Sequence, residues 1–215
     1  MTKYKLVGIG NAVVDVITNS DDSFLDLMGI EKGIMQLVEQ ERGEVLYAAM
    51  KDRLRTAGGA VANTIAGVGA LGLPTAFIGR VKDDALGEYY AQAMIDSGTD
   101  FVNAPIKDGN LPTSRSMIFV SPDGERSMNT YLGISTELGP KDVPEDVAGS
   151  TDMLFLEGYL FDKDKGKEAF RTASRLTRDN GGKAGIAISD PFCVDRHRAD
   201  FLVMIENELD YVIGN

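Results

Sequence analysis

The sequence holds one cysteine, Cys193, and one histidine, His197, among 215 residues. A lone thiol excludes any intramolecular disulfide, in keeping with a reducing compartment. One thiolate and one imidazole also fall short of the paired Cys and His ligands on which zinc-type centres draw, although Asp190 and Asp195 lie close by in sequence. Cys193 and His197 are therefore given a structural or surface role, and no metal site is expected. No apolar run approaches the ~20 residues that span a bilayer. The opening Met-Thr-Lys-Tyr-Lys leads straight into a strand-like stretch without a secretory apolar core. The expectation is a soluble, cytoplasmic protein.

Positive charge is scarce too: 22 Lys and Arg stand against 33 Asp and Glu, a net charge of −11. Such a surface repels phosphate backbones and anionic lipids, so neither nucleic acid nor a membrane is an expected partner. A small anionic ligand in a locally positive pocket is not excluded. The sequence has no G-x-x-x-x-G-K-[ST] phosphate loop and no G-x-S-x-G nucleophile elbow. Gly67-Val68-Gly69-Ala70-Leu71-Gly72 is a literal G-x-G-x-x-G, but helical spacing precedes it and a strand follows. A dinucleotide fingerprint needs the reverse order. Gly72 reads instead as a helix-ending glycine. At Gly8-Ile9-Gly10 the preceding strand is right, yet Val13 occupies the third glycine's place.

What is present is the composition of one globular domain over residues 1–215, 43% hydrophobic and 26% charged. Short apolar runs at Leu6–Ile9, Ala76–Ile78, Met153–Leu156, Gly185–Ile188 and Tyr211–Ile213 read as strands buried on both faces. Between them, Leu86, Tyr89, Tyr90, Ala93 and Met94 follow helical spacing and stop at Ser97-Gly98. Ala169, Phe170, Ala173, Leu176 and Thr177 share a second helical face. Phe201, Leu202, Ile205 and Leu209 share a third, after Pro191. This alternation predicts an α/β fold, a mostly parallel sheet covered by helices. Residues 12–18 and 114–131 stand outside the scheme; the latter is a hairpin about Ser121-Pro122-Asp123-Gly124, and the two are expected in a small separate sheet.

Ligands of open parallel sheets sit beyond the carboxyl ends of the strands. Gly10-Asn11, Gly79-Arg80, Glu157-Gly158, Ser189-Asp190 and Gly214-Asn215 occupy those ends. Asp15 is isolated in Val13-Val14-Asp15-Val16-Ile17, where a carboxylate is costly to bury without partners. It either accepts from a pair of ligand hydroxyls or is satisfied internally by an arginine or backbone amides. Ala57-Gly58-Gly59-Ala60-Val61-Ala62-Asn63 opens a helix with very small residues. They serve close approach of a ligand to the helix start, or close packing of helix on sheet.

Taken in order, these segments resemble the ribokinase (PfkB) family of kinases, adenosine-kinase-like branch. The resemblance rests on Gly8-Ile9-Gly10-Asn11-x-x-x-Asp15, Gly58-Gly59-x-x-x-Asn63, Gly79-Arg80, Asp83-Asp84-x-x-Gly87, Asp123-Gly124-Glu125-Arg126, Glu157-Gly158-Tyr159 and Ser189-Asp190-Pro191. It implies helices on both faces of the sheet and a small β lid, carried by segments near 12–20 and 110–133. It implies that Asp15 holds sugar-type hydroxyls, with Asn11, Gly58, Gly59 and Asn63 around it and Arg126 reaching in from the lid. The implied reaction moves a phosphoryl group from ATP, with Mg²⁺, to the primary hydroxyl of a sugar or nucleoside. A homodimer through the lid is implied as well.

The family's second signature, Asp-Thr-x-Gly-Ala-Gly-Asp, which supplies the catalytic base and anion hole, does not occur in these 215 residues. Asn215 resembles the first residue of the Asn-Glu pair near the phosphates and Mg²⁺. The base is expected C-terminal to Asn215, the last part of the fold is expected to be missing, and the chain by itself is expected not to phosphorylate. A non-catalytic sugar- or nucleoside-binding protein is the alternative.

Overall fold

The computed structural model describes residues 3–214. Along the chain run β1 (Tyr4–Ile9), β2 (Val13–Asn19), α1 (Asp22–Met28), β3 (Met35–Leu37), α2 (Gln40–Ala49) and β4 (Leu54–Gly58). There follow α3 (Ala60–Ala70), β5 (Thr75–Ile78), α4 (Ala85–Asp96), β6 (Thr99–Phe101), β7 (Ser114–Val120) and β8 (Arg126–Tyr131). The last third holds α5 (Glu145–Ala148), β9 (Thr151–Glu157), a 3-10 turn at Gly158–Asp162, α6 (Asp164–Asp179), β10 (Lys183–Ala187), α7 (Pro191–Asn207) and β11 (Tyr211–Ile213).

The apolar runs pair as a six-stranded sheet in the order β11-β10-β9-β1-β5-β6, parallel throughout. Alternation along each strand supplies both faces. Val7, Ile9, Leu154, Leu156 and Ile186 meet Ala169, Phe170 and Ala173 of α6 on one face. Phe77 and Phe155 meet Val61 and Ile65 of α3 and Tyr90 and Met94 of α4 on the other. Phe170 is fully buried; withdrawing a phenyl side chain from water contributes roughly 1.5–3 kcal/mol. The fold is thus an α/β sheet covered on both faces. No helix among the described residues is long and apolar enough to cross a membrane.

Local chemistry sets the helix ends. Asp84 caps α4 by accepting from the Gly87 amide at 2.8 Å, and Asp190 caps α7 from Cys193 at 2.7 Å, with Pro191 in the first turn. In α7 the expected face is only partly the buried one. Phe201 and Met204 are buried, while Leu202 is exposed and Leu209 lies beyond the helix. The stripe that meets the core is Phe201, Met204 and Ile205, with Leu202 one step off it, and the helix is interrupted ahead of this stripe at His197 (φ −120°, ψ 16°).

A second sheet, in the order β3-β8-β7-β2-β4, stands over one end of the first. Both segments set apart in the sequence lie in it: β2, and the antiparallel pair β7–β8. β2 runs parallel to β7 and antiparallel to β4. β3 and β4, edge strands of three and five residues, carry too little alternation to register as strands in the sequence. The chain leaves β1 through Gly10-Asn11-Ala12 into β2 and returns from β4 directly into α3. The carboxyl end of β1 and the start of α3 therefore share one cleft under the second sheet.

Candidate functional site

Asn11 sits at the crossing between the sheets and is almost fully buried. Its backbone N–H and its Nδ2 both donate to Oε1 of Glu157, at 3.1 and 2.8 Å. Its Oδ1 accepts from Ser135 Oγ at 2.8 Å. The other oxygen of Glu157 accepts from the Val61 amide, in the first turn of α3, at 3.1 Å. Burial pushes the Glu157 carboxyl above the ordinary range, and these hydrogen bonds oppose the shift. One buried acid therefore ties β9, β1 and α3 together beneath the cleft.

Asp15, on β2, lies between Thr56 of β4 and Ser116 of β7. Desolvation raises its carboxyl to about 6, partly countered by the charge of Arg126. No donor among the described residues hydrogen-bonds it. Space for its carboxylate comes from Gly58, where a Cβ would stand 2.6 Å from the carboxylate atoms. Gly59 takes φ +110°, and a Cβ there would meet the Asn11 carbonyl oxygen at 2.4 Å. Only glycine fits on both counts. Its carbonyl accepts from the Asn63 amide at 3.0 Å, opening α3.

These residues surround a cavity of about 650 Å³, lined among others by Asn11, Asp15, Gly59, Asn63 and Arg126. Gly58 stands behind Asp15 and does not line it, and Asn215 lies outside the described residues. A smaller hollow of about 390 Å³ shares Asn11, Leu132, Tyr159 and Asp162 with it, so the two are chambers of one cleft. For Asp15, no internal hydrogen bond is found among the described residues, and the one internal charge that acts on it is that of Arg126.

The opposite wall carries residues that sequence reasoning placed at strand ends or overlooked. Tyr159 donates from its hydroxyl to Asp190 Oδ2 at 3.0 Å. Asp162 receives Arg196 Nε and Nη2 at 3.1 and 3.0 Å, and His197 Nε2 lies 2.6 Å from its Oδ1. Despite desolvation, these partners hold the Asp162 carboxyl below its usual range. Phe192, 73% exposed, projects from the same side. The one signal available for Arg196 was its spacing from Phe192, four residues on along α7. Cys193 is buried, and burial pushes its thiol up to about 11. Among the described residues no group of three or more metal-ligating side chains gathers.

Comparison with known proteins places this cleft in context. The profile described as pfkB family carbohydrate kinase matches residues 9–215. An adenosine kinase from Sinorhizobium meliloti is 45% identical with a TM-score of 0.89, over 98% of this chain and 64% of that one. A probable sugar kinase from Rhizobium etli is 42% identical with the same TM-score, over 99% of this chain and 64% of that one. Among curated relatives, a guanosine-inosine kinase of Escherichia coli is 27% identical over 163 residues, 72% of this chain and 37% of its own length. The chain thus spans less than two thirds of each of these relatives.

Proposed function

The chain belongs to the pfkB family of carbohydrate kinases, and from that premise we propose that its residues form the acceptor-substrate side of an ATP- and Mg²⁺-dependent phosphotransferase acting on a primary hydroxyl of a sugar or nucleoside. The observation that carries the reading is Asp15, a half-buried carboxylate with no protein donor, facing a cavity beside Gly59 and Asn63. Its oxygens accept from two neighbouring hydroxyls of a sugar ring, bonds that a charged acceptor makes stronger than neutral ones. Asn63 and Asn11 flank the ring, Arg126 closes over it from β8, and the start of α3 adds partial positive charge.

The catalytic contribution of such a cleft is positioning. It fixes one hydroxyl toward the donor phosphate and excludes water around it. Neither the base nor the anion hole is assigned to these residues, so a sample of this chain alone is proposed to bind acceptor without transferring phosphate. ATP and Mg²⁺ belong to the proposal through the family. A cytoplasmic setting, a homodimer through the second sheet, and no role for nucleic acid or membrane complete it.

Away from Asp15 the cavity wall has an apolar and aromatic part, Met35, Leu37, Met128 and Phe192, beside a polar part that includes Asp162, Asp190 and Arg196. A volume of about 650 Å³ lies within the range of small-molecule sites and has room for a base as well as a sugar. This favours a nucleoside over a free ketose. Relatives named for adenosine and for guanosine and inosine leave amino and oxo bases both open.

Calorimetric titration of the chain with adenosine, inosine, ribose and fructose, repeated for Asp15→Asn, tests the reading. Binding of a sugar or nucleoside that weakens at least tenfold in the variant supports it; equal binding by both proteins overturns it. The alternative, a binding protein without catalysis, is separated by adding ATP and Mg²⁺ to the longest form of the protein that can be isolated. Binding without any phosphorylated product in that form favours the alternative.

A further inference from the structure

The cluster Asp162–Arg196–His197 has no part in gripping a pair of hydroxyls, yet it forms cavity wall. Helix α7 turns Phe192 and Arg196, four residues apart, toward the cleft. The guanidinium is not free to swing. Its Nε and Nη2 donate side-on to the two oxygens of Asp162 at 3.1 and 3.0 Å. That carboxylate is held in turn by His197, 2.6 Å away. A guanidinium clamped along this edge keeps its other edge, one N–H of Nη1 and one of Nη2, as a parallel fork. Neither of these hydrogens meets a partner among the described residues. The nearby polar groups are spent on one another, Tyr159 on Asp190 and Asp190 on the Cys193 amide. This end of the cavity therefore offers a ligand a pair of fixed donors.

Position fits chemistry. The start of α3 stands against Asn11 at the end of β1, and α7 departs from the end of β10, two strands away in the order β10-β9-β1, while Asp15 and Arg196 both line the one cavity over these ends. At ~4.8 Å per strand the two-strand step is about 10 Å, comparable to the distance from a ribose ring to the far edge of its base. On the reading of the cavity given above, we propose that Arg196 is a specificity-determining residue. Its outer fork donates to the adjacent carbonyl oxygen and ring nitrogen of a 6-oxopurine, making inosine-type nucleosides the preferred ligands over 6-aminopurine ones. The O6/N7 edge of a 6-oxopurine carries two acceptors that match a guanidinium fork, whereas a 6-amino group sets donor against donor. A mismatch of that kind is what gives polar sites their selectivity.

The test is titration calorimetry of the chain with inosine and adenosine, for the unmodified protein, Arg196→Met, Arg196→Lys and Asp15→Asn. One well-made bidentate pair discriminates by about tenfold or more, so inosine is expected to bind about tenfold tighter than adenosine. Arg196→Met brings that ratio to about one while adenosine affinity moves little. Arg196→Lys, which keeps the charge and loses the fork, does the same. Asp15→Asn weakens both nucleosides and leaves their ratio in place. A ratio at or below one in the unmodified protein, or a ratio that survives both Arg196 variants, overturns the inference and leaves the hydroxyl site standing. Failure of both nucleosides to bind overturns the inference together with the reading of the cavity. Circular dichroism of each variant establishes that it is folded.

Discussion

Glu157 and Asn11, 146 residues apart, are joined by two hydrogen bonds to a single carboxylate oxygen, from the Asn11 amide at 3.1 Å and its Nδ2 at 2.8 Å. The second oxygen holds the Val61 amide. Removing this acid strands three buried donors. Leaving even one such group unsatisfied costs about 1–3 kcal/mol. Glu157→Ala is therefore expected to lower unfolding free energy by on the order of 3 kcal/mol, read as a drop in urea midpoint. The double variant with Asn11→Ala should fall short of the sum of the two singles, because both remove the same bonds. Full additivity would show that the network is not a unit.

Gly58 and Gly59 are adjacent and predict different failures. A Cβ on Gly58 meets the Asp15 carboxylate at 2.6 Å, so Gly58→Ala displaces a side chain. Its effect is expected mainly on ligand affinity, at least tenfold, with a small change in stability. Gly59→Ala meets backbone at 2.4 Å and forces a non-glycine residue to φ +110°, which costs on the order of 1–3 kcal/mol from the conformation alone. Its main effect should be on the unfolding midpoint. Finding the two effects exchanged would mean that the cleft is built differently.

Cys193, in the first turn of α7, is turned into the core, and burial pushes its thiol up to about 11. Only the thiolate reacts with disulfide reagents. In native buffer at pH 8 a chromogenic disulfide should release almost nothing over minutes, and one equivalent on adding denaturant. Rapid native labelling would contradict the burial on which the α7 packing rests.

The architecture was legible because β1, β5, β9 and β10 lie inside the six-stranded sheet, covered on both faces, and read as apolar runs; β11 read the same way, although at its edge position Val212 and Ile213 are exposed. Five of its six appeared in this way; Thr99–Phe101, three residues at an edge with Asp100 exposed, did not. Asp15 announced itself by being the wrong residue for its surroundings, and Gly58-Gly59 by their smallness. Glu157 looked like any polar residue closing a strand, since nothing local reveals that its partners lie at positions 11 and 61. The pairing of Asp162 with Arg196 was invisible for the same reason: it spans 34 residues. Contacts made by tertiary approach leave no periodicity behind.

The raised carboxyl of Asp15 yields two pH dependences of opposite sign. Its folded value of about 6 stands above its ordinary 3.8, so the folded state binds the proton more tightly. The associated stability is fully present below about pH 3.8 and is lost as pH rises through about 6. A shift of about two units corresponds to at most ~3 kcal/mol. Asp15→Asn removes this cost and should raise the urea midpoint at pH 7.5, with the advantage fading by pH 4. Ligand binding runs the other way. Hydroxyl groups donate best to the ionised carboxylate, so affinity should climb between pH 5 and 7 and stay flat in the variant. A variant more stable at neutral pH and weaker in binding is the signature of a carboxylate kept for its ligand. If Asp15→Asn is instead less stable at pH 7.5, the carboxylate is serving the fold, and the case for a hydroxyl-binding cleft fails with it.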